Sequence, residues 1–542
     1  MKKSRSIIIA SAAYLDPQLE AEFGHIPPAF LPLGSRRLYE HQIQCVRTDD
    51  ASVLLSLPED FVLADPDAEA LAALGITVVP VPLGLTLGQS LVYVINVSAR
   101  AIGPISVLHG DTLLEGVNFE IPDAVSVGPA LPGYQWGNVT QRDGMLQLAE
   151  RRAGFAVGET TVILTGWFSF SDTALLVQAI TQQGGHFING LLAYVRLRPV
   201  RTLDASNWFD FGHADTYYQS RRRVTTQRAF NDLTITRRAV IKTSKNLRKM
   251  QAEANWFEQL PPSLRIHVPA LIDSSRSATG GGYSLEYLHL PTLTELFVFG
   301  RLSAPAWRRI FESCDEALAG MAAFAAPEVE TGDVDAIYRV KTQERLEDHA
   351  RATGIDLNAP LRFGGAWLPS LERMAAMAAD AIPAASVEHL TLIHGDFCFS
   401  NLLYDHRADL IRMIDPRGID AQGSLCRYGD RRYDIGKLYH SVVGRYDQIV
   451  AGHYRLQCFG ELDFDLTLPS DQRYIDIETE FTTRLFAGLS VETAAAPAIC
   501  VLLFLSMLPL HAENPMRQRA FLANAMRLFL AMDGNRSLRG PR

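Results

Sequence analysis

Transfer of a phosphoryl group to a hydroxyl needs an acceptor for the hydroxyl proton and oxygen ligands for the metal ions on the phosphates. One stretch of this chain carries residues of both kinds. His394-Gly395-Asp396-Phe397-Cys398-Phe399-Ser400-Asn401 sets an aspartate behind a short apolar run, with an asparagine five positions on. Ile411-Arg412-Met413-Ile414 then leads into a second aspartate, Asp415. An aspartate and an asparagine so spaced supply both functions, and Asp415 at the end of the next hairpin completes a metal site. The structural alternative is that Asp396 caps a turn and Asn401 a helix. Three matching residue types with strands on either side favour the chemical reading.

The elements that must position these residues are legible around them. Leu392-Ile393, Leu402-Tyr404 and Ile411-Ile414 read as short strands in a stretch that is mostly helical from Ala304 onward. Upstream, Asp232-Ile235 and Ala239-Thr243 read as paired strands separated by Thr236-Arg237-Arg238. Lys249-Gln259 reads as a helix, and Tyr283-Leu288 as a strand preceded by a turn at Gly280-Gly281-Gly282. A small β-rich lobe ahead of a large helical one is the order expected of a kinase.

The HGD-x4-N pattern followed by a strand ending Ile-Asp resembles the aminoglycoside phosphotransferase and choline kinase superfamily. That resemblance implies Asp396 as base and Asn401 and Asp415 as magnesium ligands, with ATP as phosphoryl donor to a small hydroxyl-bearing molecule. Ala239-Val240-Ile241-Lys242 resembles the strand whose lysine pairs with the α- and β-phosphates. Glu253, eleven residues on, lies where the lysine-orienting glutamate belongs. Lys245 and Lys249 are rivals for the lysine role. Tyr283-Ser284-Leu285-Glu286-Tyr287-Leu288 resembles the strand that leads into the adenine-contacting hinge, which puts Glu286 and Leu288 beside the nucleotide. Asp430-Arg431-Arg432-Tyr433-Asp434 resembles the superfamily's Asp-x-x-Tyr-Asp segment, in which the second aspartate, here Asp434, braces the catalytic loop. Arg228-Ala229-Phe230-Asn231 stands where protein kinases carry a glycine-rich loop. Arg417 follows in Asp415-Pro416-Arg417-Gly418, where it could meet an anionic substrate group or form an ordinary salt bridge.

The first part of the chain alternates short apolar runs with amphipathic stretches. Ile7-Ser11, Ser52-Leu57, Thr77-Pro82, Pro104-His109 and Thr161-Thr165 read as strands, and Pro66-Leu74 and Ser90-Val97 as intervening helices. Pro28-Ala29-Phe30-Leu31-Pro32-Leu33-Gly34, Leu108-His109-Gly110-Asp111 and Trp208-Phe209-Asp210-Phe211-Gly212 resemble segments of sugar-phosphate and phospho-alcohol nucleotidyltransferases. Gly88-Gln89-Ser90-Leu91 resembles the start of their base-contacting helix. The resemblance implies a magnesium held by Asp111 and Asp210, and an NTP, CTP among the candidates, as second nucleotide substrate. The family's glycine-rich opening loop is replaced by Ala10-Ser11-Ala12-Ala13-Tyr14-Leu15-Asp16, and its lysine by Pro28, which offers neither charge nor N–H. Arg36 or Arg37 would have to compensate.

The totals agree with two globular domains. The chain has 542 residues, 47% hydrophobic and 20% charged, with net charge −9. Acidity argues against non-specific nucleic-acid binding. Six cysteines without a Cys-x-x-Cys pair indicate neither a disulfide framework nor a zinc site, as expected in a reducing cytoplasm. Ala495-Leu510 is apolar but contains prolines and falls short of the ~20 residues of a membrane span, so it reads as a buried helix. The expected architecture is α/β: a Rossmann-like, GT-A-like nucleotidyltransferase domain over 1–225, then a bilobal protein-kinase-like domain over 226–542, with a small lobe over about 226–290. Two functional readings remain. One is a bifunctional enzyme that phosphorylates a sugar, polyol or amino alcohol and joins a nucleotidyl group to the product, making an NDP-activated precursor for surface polysaccharide. The other is a kinase with a non-catalytic nucleotidyltransferase-like binding domain. Self-association is left open.

Overall fold

The computed structural model of the chain describes residues 5–46, 51–98, 103–129, 138–142, 145–147, 160–228, 233–277, 280–327 and 332–537. The chain divides into two compact units, Met1–Val224 and Thr225–Arg542.

The first unit is built on Arg5–Ala10, whose Ile7, Ile8 and Ile9 are all buried. A strand apolar on both faces belongs in the middle of a covered parallel sheet. It pairs in parallel with Ala51–Pro58 on one side and Ile105–His109 on the other. Thr77–Val81 extends the first side, also in parallel. Thr160–Phe170 joins Ile105–His109 antiparallel, and the shorter strands beyond it complete a nine-stranded sheet. Helices Asp65–Ala73 and Leu87–Val97 lie between strands. The second starts three residues earlier than its apolar pattern suggests, because Thr86 and Gln89 form a capping box. The chain leaves Arg5–Ala10 in one direction and Ile105–His109 adds on the opposite side. The carboxyl ends of these two strands are therefore a topological switch point, where ligands gather in open α/β sheets. Asp111 lies two residues beyond that end.

The second unit opens with a four-stranded antiparallel sheet, Leu233–Ile235, Ala239–Ser244, Gly280–Glu286 and Leu271–Ser277 in spatial order, and helix Leu247–Glu258. One expectation is corrected here. Gly280, Gly281 and Gly282 form no turn; they open the strand, which ends at Glu286 and leaves Tyr287 and Leu288 outside it. The reason is a close approach. A Cβ on Gly281 would lie 3.2 Å from Leu247 Cδ2, and one on Gly282 would lie 2.8 Å from the Lys242 carbonyl oxygen.

The rest of this unit is helical and includes Ala304–Ala322, Gly332–Thr353, Arg432–Val442 and Pro515–Ser537. Helix Ala496–Met507 is buried from Ala498 to Met507, as its continuous apolar sequence requires. No helix among the described residues is long and apolar enough to cross a membrane. Two hairpin-like pairs interrupt the helices, Leu390–Leu392 with Tyr428–Asp430 and Leu402–Asp405 with Leu410–Met413. They present the loops that carry Asp396 and Asp415.

Candidate functional site

The loop after Leu390–Leu392 is fixed by backbone groups that find buried partners. His394 N–H and Gly395 N–H donate to the two oxygens of Asp434, at 2.7 and 2.8 Å. Asp434 is buried, and burial pushes its carboxyl up to about 7 against the opposing pull of those two N–H groups. His394 is buried too, which lowers its imidazole to about 4. The neutral ring donates from Nε2 to the Ile414 carbonyl at 3.0 Å. One residue thus ties the Asp396 loop to the strand end that carries Asp415. Gly395 has φ 77°, and a Cβ there would lie 2.7 Å from Arg417 Cβ. Glycine is needed for both the backbone and the space.

Asp396 sits between two donors. Asn401 Nδ2 donates to Oδ2 at 2.8 Å, and Lys437 Nζ lies 2.6 Å from Oδ1. Burial alone would raise this carboxyl; Lys437 outweighs it, with help from His394 and Asn401, and holds it at about 2. The group is therefore a carboxylate throughout the physiological range. Lys437→Met should raise the pKa of Asp396 by about one to three units, the span an adjacent opposite charge produces. A base works only above its pKa, so if Asp396 is the proton acceptor the acid limb of kcat against pH should move to higher pH. A pH–rate profile taken down to about pH 3 checks this, and an unmoved limb would separate Lys437 from the group that titrates.

Asp415 follows the strand Leu410–Met413 with φ 55°, a left-handed conformation in a residue with a Cβ. Such strain costs about 1–3 kcal/mol and persists where surrounding contacts impose it, commonly at functional sites. Here Lys242 Nζ lies 3.1 Å from Asp415 Oδ1 and 2.7 Å from Glu253 Oε2. Lys242 and Tyr283 are paired across adjacent strands, and the Tyr283 hydroxyl donates to the same Glu253 oxygen at 2.6 Å. Burial opposes the Lys242 charge, but Asp415 and Glu253 together raise its pKa above the ordinary value. Lys249 is mostly exposed and reaches Glu253 Oε1 only at 3.8 Å.

The helix that carries Glu253 is joined to the loops it faces. Trp256 Nε1 donates to the Ile393 carbonyl at 2.9 Å. Gly418, φ 64°, lies so close to the helix that a Cβ would meet the Ala252 carbonyl oxygen at 2.3 Å.

Lys242, Glu253, Asp396, Asn401 and Asp415 line one cleft of about 350 Å³. Glu286 and Leu288 are not among its lining residues; the Glu286 carboxylate instead accepts from Ala270 N–H at 3.4 Å. Lys437, Lys341 and Arg345 also line the cleft and had no signal in the sequence; Tyr433, the tyrosine of the Asp-x-x-Tyr-Asp segment, lines it as well. The Asn401 amide oxygen and the Asp415 carboxylate are hard oxygen donors suited to magnesium.

In the first unit, Asp210 ends the strand Asn207–Asp210, which pairs with Thr112–Glu115 directly after Asp111. Phe211 N–H donates to the Asp111 carbonyl at 2.8 Å. A Cβ on Gly212 would lie 2.8 Å from Asp111 Oδ2 and 3.4 Å from Asp210 Oδ1, so both carboxylates flank one point. Burial first, and Asp111 second, raise the Asp210 carboxyl to about 6. Among the described residues Asp210 Oδ2 is buried without a hydrogen-bond partner, although the nearby Thr216 hydroxyl favours the ionised carboxyl. A cation would satisfy that oxygen and relieve the repulsion. Arg37, in contrast, is committed elsewhere: it is buried, with Nε and Nη2 on the two oxygens of Asp67 at 3.0 and 2.9 Å and Nη1 on the Phe30 carbonyl. It serves the fold and leaves Arg36, which is exposed, as the arginine free to face a triphosphate.

Residues 215–463 match the model of the phosphotransferase enzyme family, APH. No curated protein matches the chain. Among solved structures, an aminoglycoside-3'-phosphotransferase of type VIII is 16% identical, covering 52% of this chain and 96% of its own, with a TM-score of 0.30. A structure described as a glucose-1-phosphate thymidylyltransferase of Bacillus anthracis is 12% identical, covering 42% of this chain and 97% of its own, TM-score 0.32. HddC from Yersinia pseudotuberculosis, complexed with GMP-PN, is 14% identical, covering 41% and 99%, TM-score 0.29. The family match supports a phosphotransferase of the small-molecule kinase kind in the second unit.

Proposed function

We propose that the chain phosphorylates a small hydroxyl compound with ATP and then joins a nucleotidyl group to the phosphate, giving an NDP-activated building block of the kind used for surface polysaccharide. The observation that carries the kinase half is the meeting of Lys242, Glu253 and Asp415 with Asp396 and Asn401 in one cleft. Lys242, oriented by Glu253 and Tyr283, binds the donor phosphates. Asp396, kept ionised and oriented by Asn401, accepts the proton of the attacking hydroxyl. Asp434 holds the loop so that the carboxylate meets that hydroxyl in line with the phosphate. Asn401 and Asp415 would hold magnesium, which supplies charge neutralisation on the transferred group. Asn401→Ala and Asp415→Ala should raise the magnesium concentration needed for half-maximal rate about tenfold or more; metal titrations that match wild type would remove their ligand role.

The nucleotidyl half rests on Asp111 and Asp210 flanking one point with a buried, unsatisfied oxygen. The second reading, a binding domain without catalysis, is favoured by Pro28 and by the engagement of Arg37 with Asp67. A screen of small hydroxyl compounds with ATP, repeated with each NTP added, tests the proposal. Phosphorylation without pyrophosphate under any NTP leaves the kinase alone.

A further inference from the structure

The charge in the cleft is unbalanced. Among the described residues six cationic side chains line it, against three carboxylates, Glu253, Asp396 and Asp415. Each carboxylate already has an ammonium partner: Lys242 for Glu253 and Asp415, Lys437 for Asp396. Lys341, Arg345 and Arg417 are left, and none of them forms an ion pair with a carboxylate among the described residues.

These three cations gather on the side of Asp396. Arg417 packs its stem over Gly395, the residue before Asp396. Lys341 and Arg345 stand one turn apart on helix Gly332–Thr353, while Tyr433 and Lys437 stand one turn apart on helix Arg432–Val442. The groups feel one another. The Tyr433 phenol favours the Lys341 charge, but burial with Arg417, Lys437 and Arg345 outweighs it and lowers the ammonium. Burial lowers the Arg345 guanidinium, with Arg417 adding to it. Arg345 also donates to the Ser506 carbonyl at 3.1 Å and feels Asp348; Lys341 and Arg417, held close against mutual repulsion with no carboxylate in ion-pair reach, form a site for an anion. Magnesium-bound ATP does not account for them, because it brings its own neutralising cations and already has Lys242 as its lysine.

Building on the kinase reading, we propose that the phosphoryl acceptor is itself an anion: a small hydroxyl compound carrying a carboxylate or a phosphate, held by Arg417 and Lys341 while its hydroxyl faces Asp396. This narrows the substrate class, because amino alcohols and polycationic acceptors would meet repulsion from Lys341, Arg345 and Arg417.

The test is a two-stage calorimetric titration of the full chain with magnesium. AMP-PNP is added first, and its binding tests the kinase reading alone. The nucleotide-loaded protein is then titrated with inorganic phosphate, glycerate, glycerol and ethanolamine. Phosphate or glycerate should bind, and the stronger of the two identifies the anionic group. Arg417→Ala and Lys341→Ala should each weaken that binding about tenfold to a hundredfold, as expected for one charge-assisted hydrogen bond. Circular dichroism checks folding, and Arg417→Lys should restore part of the affinity if charge is what matters. Preference for glycerol or ethanolamine, anion binding unchanged in both variants, or no anion binding at all overturns the proposal. Failure of AMP-PNP to bind removes the kinase reading, and this inference with it.

Discussion

Asp396→Asn should reduce kcat for phosphotransfer by roughly 10²–10⁴-fold, the usual contribution of a positioned general base. The substitution keeps the size of the side chain but removes its basicity. It also removes the partner of Lys437, leaving that largely buried ammonium without a counter-charge. ATP binding should be little changed, because Lys242 is held by Glu253 and Asp415 and not by Asp396. Steady-state kinetics with ATP and the best acceptor, alongside AMP-PNP affinity, separate the two effects. A variant with full turnover would end the kinase assignment.

The second large effect concerns the link between the two reactions. With ATP, the acceptor and one particular NTP, wild type should release pyrophosphate. Asp111→Ala and Asp210→Ala should each lower that release by about 10²-fold or more, on the scale of lost electrostatic stabilisation at a reacting phosphate. Asp396→Asn should lower it too, because in the proposed sequence the kinase product is the second substrate. Supplying the phosphorylated compound directly should restore release in Asp396→Asn and not in Asp111→Ala. Pyrophosphate release that survives loss of both Asp111 and Asp210 would detach the carboxylates from the chemistry. Its absence in wild type with every NTP and with phosphorylated substrate at hand would make the first unit a binding module.

Residues within one local pattern were the easiest to read from sequence. His394 to Asn401, Asp415, and the Lys242–Glu253 spacing of strand and following helix are short-range arrangements, and the structure brings them into one cleft. The central parallel strands were legible for the same reason, since Ile7-Ile8-Ile9 is a continuous apolar run. Lys437 was not, because its partnership with Asp396 joins a helix to a loop 41 positions away (437 minus 396), and a lysine on an amphipathic helix looks like any solvated one. Lys341 and Arg345 were hidden in the same way. Arg37 misled in the opposite direction: its charge suggested a phosphate, but the buried Asp67 thirty positions on claims it. The glycine triplet at 280–282 suggested a turn. Its purpose depends on Leu247 and the Lys242 backbone, neighbours that a linear reading does not display.

The contacts of helix Leu247–Glu258 with the loops beneath it carry a mechanical consequence. The helix meets the Asp396 side through the Trp256–Ile393 hydrogen bond and the Arg417 side through Gly418, where no atom separates the two backbones. It also carries the glutamate that aims Lys242. Helix and loops therefore behave as one lever. On the proposed reading, a displacement of Arg417 by an arriving acceptor would reach the helix through Gly418, and through Glu253 it would reach Lys242. Nucleotide grip and acceptor occupancy would then be linked quantities, each ligand tightening or loosening the other by the same factor. A kinase built this way can keep ATP poorly aligned until an acceptor arrives, which would limit wasteful transfer to water.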